Sequence, residues 1–258
     1  MNTFFEEAQT IAQKDFSSHK VMIGLSGGIN SMAVLCWLAN YPEHLKPLEL
    51  HLFYAHFEEH SPDTLDFVLA GVEYAKKRFK TVFFKQENNS IIETFRQMKM
   101  IPHPMIAPCT RLLKIEPMLC YMVEHKILVD LVGYIRTEKR RIDRMADRSG
   151  GELQTNSVQI GDVEKHFPIS DKDNYWCFKI VKKHIGWYPK IYDITENGKP
   201  VFKHNNCLPC KNMNAKDFQK VEKYFPEYAQ KAKDLAIEID GYWGRNKTGA
   251  ECTICTFD

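Results

Sequence analysis

Val21-Met22-Ile23-Gly24-Leu25-Ser26-Gly27-Gly28-Ile29-Asn30-Ser31 decides the fold of this chain. Val21 to Leu25 is an apolar run of the length of a buried strand. Behind the glycines, Met32, Val34, Leu35, Trp37 and Leu38 recur at helical spacing. A strand, a Ser-Gly-Gly turn and a helix in that order present free backbone N–H groups at the positive end of a helix dipole. That arrangement suits a phosphate. It is not the Walker P-loop, whose lysine is missing here. On this motif alone, an ordinary Gly-Gly turn ahead of a helix stays open.

Outward from this stretch, strand-like and helix-like segments alternate. Phe4, Phe5, Ala8, Ile11 and Ala12 predict a helix from Met1 to about Lys20. Residues 48–55 read as a second strand, 64–79 as an amphipathic helix and 81–85 as a third strand. Residues 112–124 read as helix and 127–133 as a fourth strand. Such alternation implies βαβ units and an α/β fold, a doubly wound and mostly parallel sheet with its ligand at the carboxyl ends of the strands. After Arg148 the pattern weakens through Ser149-Gly150-Gly151. We therefore expect a nucleotide-binding core over residues 1–150 and a C-terminal extension over 151–258 packed on it. No internal repeat or low-complexity tract is present.

The 258 residues, 44% of them hydrophobic, fit a soluble globular protein. No apolar stretch approaches the ~20 residues that span a bilayer, and Met1 to Asp15 lacks a signal-peptide pattern. The expected location is cytoplasmic. A net charge of +2 does not announce a nucleic-acid binder. Arg136, Lys139, Arg140, Arg141, Arg144 and Arg148 nevertheless cluster, partly offset by Glu138, Asp143 and Asp147. The eight cysteines argue for metal or redox chemistry over a disulfide framework. Cys36, Cys120 and Cys177 sit among apolar neighbours and read as small core residues. Cys109, Cys207, Cys210, Cys252 and Cys255 lie in polar or turn-like contexts, four of them in C-x-x-C pairs. Two thiolates at that spacing can face one ion. The gap between the pairs exceeds the ~15–20 residues of a usual zinc ribbon, which leaves an iron–sulfur cluster, zinc and plain structural thiols all open. His56, Glu58, Glu59 and His60 follow the second strand. They read first as a solvated loop and second as a nucleotide or metal site. Trp187, Tyr188, Tyr242 and Trp243 are candidates for stacking on a base or for packing on the sheet.

The glycine turn resembles the S-G-G-x-D-S loop of the PP-loop ATP pyrophosphatase superfamily, with Asn30 in place of the aspartate. Four further pieces resemble the phosphosulfate (PAPS/APS) reductase family of that superfamily, in the family's order. Cys109-Thr110-Arg111-Leu112-Leu113-Lys114-Ile115-Glu116-Pro117-Met118 is similar to C-C-x-x-R-K-V-x-P-L. Gly133-Tyr134-Ile135-Arg136-Thr137-Glu138-Lys139-Arg140-Arg141 is similar to its glycine–arginine segment. Pro189-Lys190-Ile191-Tyr192-Asp193 followed by Cys207-Leu208-Pro209-Cys210 resembles P-L-Y-D and C-x-P-C. Gly244 to Cys252 resembles the G-R and K-T-E-C tail. The resemblance implies an adenine nucleotide alpha-hydrolase-like fold. It also implies an oxidoreductase of sulfur metabolism that binds APS or PAPS.

By the same resemblance, Ser26, Gly27, Gly28, Asn30 and Ser31 hold the nucleotide phosphates, with Arg136 and Arg141 as charge partners. Cys252 is the nucleophile that takes the sulfonate, helped by Lys247 and Arg245, and a thiol reductant such as thioredoxin then frees sulfite. Cys109, Cys207 and Cys210 are implied ligands of a [4Fe-4S] cluster, with Cys255 or Cys252 as a fourth; zinc is the alternative.

Three departures bear on this. Thr110 replaces the second cysteine of the C-C pair, Thr253-Ile254-Cys255 replaces the family's closing histidine motif, and Asn30 cannot offer Mg2+ a carboxylate. They keep open an ATP pyrophosphatase that uses Mg·ATP to adenylate a nucleic acid for thiolation, with a cysteine desulfurase as partner. A non-catalytic, zinc-stabilised nucleotide-binding module is the third reading. The oligomeric state is left open, a homo-oligomer included.

Overall fold

In the computed structural model of the protein, residues 14–102, 108–149 and 157–243 are described. A six-stranded sheet forms the centre, in the order β3-β2-β1-β4-β6-β5. Its strands are β1 (Lys20–Leu25), β2 (Glu49–Phe57), β3 (Val82–Asn89), β4 (Val129–Leu131), β5 (Ser157–Ile160) and β6 (Val163–His166). All pairings are parallel except the β5–β6 hairpin at one edge. The α/β expectation and the parallel sheet therefore hold. Two strands of the sheet, β5 and β6, come from the chain beyond residue 151.

Helices cover both faces. On one, α1 (Ile29–Ala39), α2 (Thr64–Lys76) and α6 (Asn174–His184) enclose the largest apolar core, which includes Ile23, Leu35, Leu52, Phe67 and Val181. Burying each such side chain contributes about 1.5–3 kcal/mol, so this layer fixes where β1 and α1 meet. On the other face α4 (Glu116–His125) lays Met122 against Met22 and Phe53, and α5 (Lys139–Ser149) packs beside β5. A second core joins α3 (Ile91–Met98), α7 (Ala215–Tyr224) and α8 (Pro226–Glu238) to the segment around Cys207, beyond the carboxyl ends of the strands.

Several boundaries depart from the sequence reading. Residues 14–19 are not helical; the rest of the expected N-terminal helix lies outside the described residues. β3 runs on through the polar Gln86 to Asn89, because β2 also continues to Phe57 and offers ladder partners along the whole length. Cys120 is exposed, not buried: α4 turns Leu119 and Val123 outward as well and buries only Met122 fully. Ahead of α4, Arg111–Ile115 forms a π-helical stretch, and Cys109 lies in the short helical turn Pro108–Thr110 that leads into it. Such stretches often accompany functional sites.

Candidate functional site

The site lies at the carboxyl end of β1, beside β4, where strand order reverses and open α/β sheets leave a crevice. Gly27 stands at φ +73°, and a Cβ there would sit 2.2 Å from Thr64 Cγ2. The turn thus needs glycine for its backbone and for the close approach of α2. Ser31 holds it from inside: its hydroxyl accepts from Ser26 N–H (3.0 Å) and donates to Gly28 O (3.2 Å). The N-terminus of α1 has no side-chain cap and no acidic residue in its first turn, which leaves its dipole for an anion. From β4, Gly133 lets the chain pass so near that a Cβ would meet the Asn30 carbonyl at 3.0 Å.

Asn30 donates to Glu138 Oε2 (3.4 Å), and Glu138 Oε1 accepts from Arg141 (2.7 Å). Arg141 also lies over the Tyr134 ring, while Arg136 pairs with Asp173 at 3.6 Å. Both guanidinium groups are exposed, and Arg141 is joined to the loop through Glu138. Among the described residues, Asn30 Oδ1 and Asn205 Oδ1 are buried acceptors without a hydrogen-bond partner. A buried acceptor left in that state costs about 1–3 kcal/mol, which a ligand's donor or a cation can recover.

Two residues to which the sequence reading gave no role bind this loop to the cysteine segment. Asn205 Nδ2 donates to Gly27 O (2.9 Å) and to Thr64 Oγ1 (2.8 Å). The Tyr192 hydroxyl accepts both the Ile29 N–H (3.3 Å) and the Asn205 N–H (3.2 Å). Tyr192 stood within a quoted motif; Asn205 carried no signal, since its partners are far away in the chain.

The stretch after β2 is not the solvated loop that its polarity suggested. Glu59 is 4% exposed and His60 3%. Glu59 accepts from Ser90 Oγ (2.6 Å), Ile91 N–H (2.9 Å) and Ile92 N–H (3.2 Å), so its carboxylate satisfies the N-terminus of α3. Its carbonyl accepts the Leu208 N–H at 2.7 Å, which docks the Cys207–Cys210 turn onto the sheet. The Tyr54 hydroxyl lies 3.0 Å from His60 Nδ1 and 3.2 Å from His56 Nδ1. Burial, with help from Lys114 and His56, pushes the His60 pKa down to about 3.

Cys109, Cys207 and Cys210 share one neighbourhood. Burial pushes the Cys207 thiol up to about 12, and the Cys210 thiol is also raised by burial; each feels Cys109 and the Lys114 cation. Lys211, 3% exposed, is held below the usual lysine range by its burial, against the opposing pull of Cys109 and Cys210. Among the described residues, no three His, Cys, Asp or Glu side chains close around a single ion. The chemistry of the donors still fits a thiolate-bound group: of two buried sulfurs and a half-buried one, those of Cys207 and Cys210 feel Lys114, and Lys211 lies within the influence of Cys109 and Cys210, so that positive charge is at hand to offset a metal–thiolate centre. Cys252, Cys255, Lys247 and Arg245 lie outside the described residues. Of the stacking candidates, Trp243 is 2% exposed and donates to Ala232 O (2.7 Å), Trp187 packs on Phe67, and Tyr188 packs on Phe178. These three are packing residues.

No family model matches the chain, and no curated protein sequence does. Solved structures do. The chain is similar to the U34-tRNA thiolase NcsA of Methanococcus maripaludis with its [4Fe-4S] cluster, at 14% identity and a TM-score of 0.50, over 97% of this chain and 83% of that one. It is also similar to the phosphoadenylyl-sulfate (PAPS) reductase of Candida auris (14% identity, TM-score 0.44, 67% of this chain and 76% of that one). A third is the NMN synthetase of Francisella tularensis (12% identity, TM-score 0.42, 86% and 84%). Among the described residues, no helix is long and apolar enough to cross a membrane. Strand order and structural likeness converge on the fold: a doubly wound α/β sheet of the adenine nucleotide alpha-hydrolase-like kind.

Proposed function

We propose that the chain is a PP-loop enzyme that binds Mg·ATP at Ser26–Ser31 and uses Cys109, Cys207 and Cys210 for sulfur transfer to an acceptor such as a nucleic acid. One observation carries this reading: Asn205, two residues before Cys207, is hydrogen-bonded to the phosphate loop directly and through the Tyr192 hydroxyl, and Cys207 and Cys210 share their neighbourhood with Cys109. The thiolase likeness, which extends over 97% of the chain, supports it. The acceptor oxygen bonds the α-phosphorus of ATP and pyrophosphate leaves; sulfur then bonds the activated centre, and AMP leaves with the oxygen. Ser26, Gly27, Gly28 and Ser31 position the phosphates, and Arg136 and Arg141 stand exposed to meet an incoming anion. Cys109, Cys207 and Cys210 would hold a [4Fe-4S] cluster, which when bound supplies an iron site for a transferable sulfur atom. A cysteine desulfurase supplies that sulfur as a persulfide, and a thiol reductant releases it at the sulfide level while its own thiols become a disulfide.

A second reading, a PAPS/APS reductase, rests on Glu251-Cys252 and on Lys247 and Arg245 ahead of it. The two readings separate in one experiment. Anaerobically purified protein is incubated with Mg·ATP, APS or PAPS and followed by intact mass and pyrophosphate release. Pyrophosphate from ATP without a sulfonate adduct supports the first reading. An adduct mapped to Cys252 overturns it in favour of the second.

A further inference from the structure

Asn205 sits two residues before Cys207, yet its side chain belongs to the phosphate loop. It is 6% exposed, and both of its amide hydrogens are committed: one to the Gly27 carbonyl at 2.9 Å, the other to Thr64 Oγ1 at 2.8 Å. Thr64 Oγ1 continues to Ser61 Oγ at 3.0 Å, so a single amide joins the glycine turn, the N-terminus of α2 and the cysteine segment. The Asn205 backbone N–H shares the Tyr192 hydroxyl with Ile29 N–H, the first amide of α1. Among the described residues, Asn205 Oδ1 has no hydrogen-bond partner. On the far side, Leu208 N–H is fixed to the Glu59 carbonyl. The stretch from Asn205 to Leu208 is thus suspended between two anchors, one of which is the phosphate loop itself.

We propose that Asn205 is a positioning residue that carries occupancy of the Ser26–Ser31 loop to Cys207 and Cys210, with Tyr192 as its second contact. The proposal rests on the reading of that loop as a nucleotide-phosphate site. An anion on the loop N–H groups pulls on the peptide units of Gly27 and Ile29, the two that Asn205 and the Tyr192 hydroxyl hold. Any shift there is passed to the cysteine turn. Only an amide meets the geometry: aspartate would turn a carboxylate oxygen toward the Gly27 carbonyl, and alanine makes neither bond.

Hydrogen–deuterium exchange on the full chain tests this, with Mg·ATP and magnesium pyrophosphate as probes. In the wild type, either probe should slow exchange at residues 26–31 and also at 205–211, the latter by about tenfold, within the range usual for coupled sites. In Asn205→Ala and Asn205→Asp, residues 26–31 should still respond while 205–211 respond less than about twofold. Tyr192→Phe should weaken the response in the same way. Unchanged melting temperature and unchanged protection of β1 and β2 certify each variant as folded, and Tyr192→Phe serves if neither Asn205 variant folds. A wild type that responds at 26–31 but not at 205–211 overturns the proposal, and so does full coupling in the variants. A wild type silent at 26–31 instead overturns the nucleotide reading on which the proposal rests.

Discussion

Lowering the pH from 7 to 4.5 should destabilise the fold through His60, by an amount that burial sets. The ring is 3% exposed and hydrogen-bonded through Nδ1 to Tyr54, and its pKa is pushed down to about 3, by burial first and by Lys114 and His56 in addition. In the unfolded chain it titrates near about 6.5. Between those two values the unfolded state holds a proton that the folded state does not. Stability therefore rises with pH through this window and is lost as pH falls through it. Integrating the linkage from pH 7 to 4.5 gives a loss of about 2–3 kcal/mol, a large share of the roughly 5–15 kcal/mol that holds a domain folded. Urea unfolding of the wild type and of His60→Asn at both pH values measures it. Asparagine offers a donor and an acceptor but nothing to titrate, and the remaining groups contribute alike to both proteins. The wild type should lose about 2–3 kcal/mol more than the variant. An excess below about 0.5 kcal/mol, or an imidazole that titrates near about 6 in the folded protein, would refute the argument.

Gly27→Ala should cost about 1–3 kcal/mol from its positive φ alone, and more from the overlap with Thr64; adding Thr64→Ser, which removes Cγ2, should return part of the loss in thermal melts. Glu59→Gln should destabilise by about 1–3 kcal/mol in urea, because a neutral amide replaces the carboxylate at the N-terminus of α3. Alanine at Cys109, Cys207 or Cys210 should strip iron and sulfide from anaerobically purified protein, whereas Cys120→Ala should retain both, as chemical analysis of the two elements would report.

β1 and β2 were legible because each is a largely apolar run buried on two faces, as in Val21 to Leu25, and the edge strand β3 only through its apolar start, Val82-Phe83-Phe84. The glycine turn was legible because its backbone demand is local. β5 and β6 were not: Val163-Glu164-Lys165-His166 reads as polar, and it becomes a strand only because Lys165 meets the buried Asp130 across the β4 pairing. Glu59 and His60 were misjudged for a related reason. The charge of Glu59 is answered by the α3 amides, far along the chain, and the polarity of His60 by Tyr54, which β2 places opposite it. The cysteine spacing pointed to Cys207 and Cys210 as a pair, but nothing in it announced Asn205 or Tyr192, whose hydrogen bonds cross from 13 to 178 positions of sequence.

The π-helical stretch at Arg111–Ile115 gives this chain a dependence on length as well as on identity. A π-turn is a helix with one residue more than the α-helical repeat, so it rotates the segment on its N-terminal side by about 100° relative to the helix on its C-terminal side. Cys109 stands on the N-terminal side, and α4 is pinned to the sheet on the other. Deleting a single residue between 111 and 115 would leave every cysteine in place in the alphabet of the sequence. It would also turn Cys109 roughly a quarter of a circle away from Cys207 and Cys210. The stretch therefore tolerates other side chains at Leu112 or Ile115, both exposed. It does not tolerate a different count.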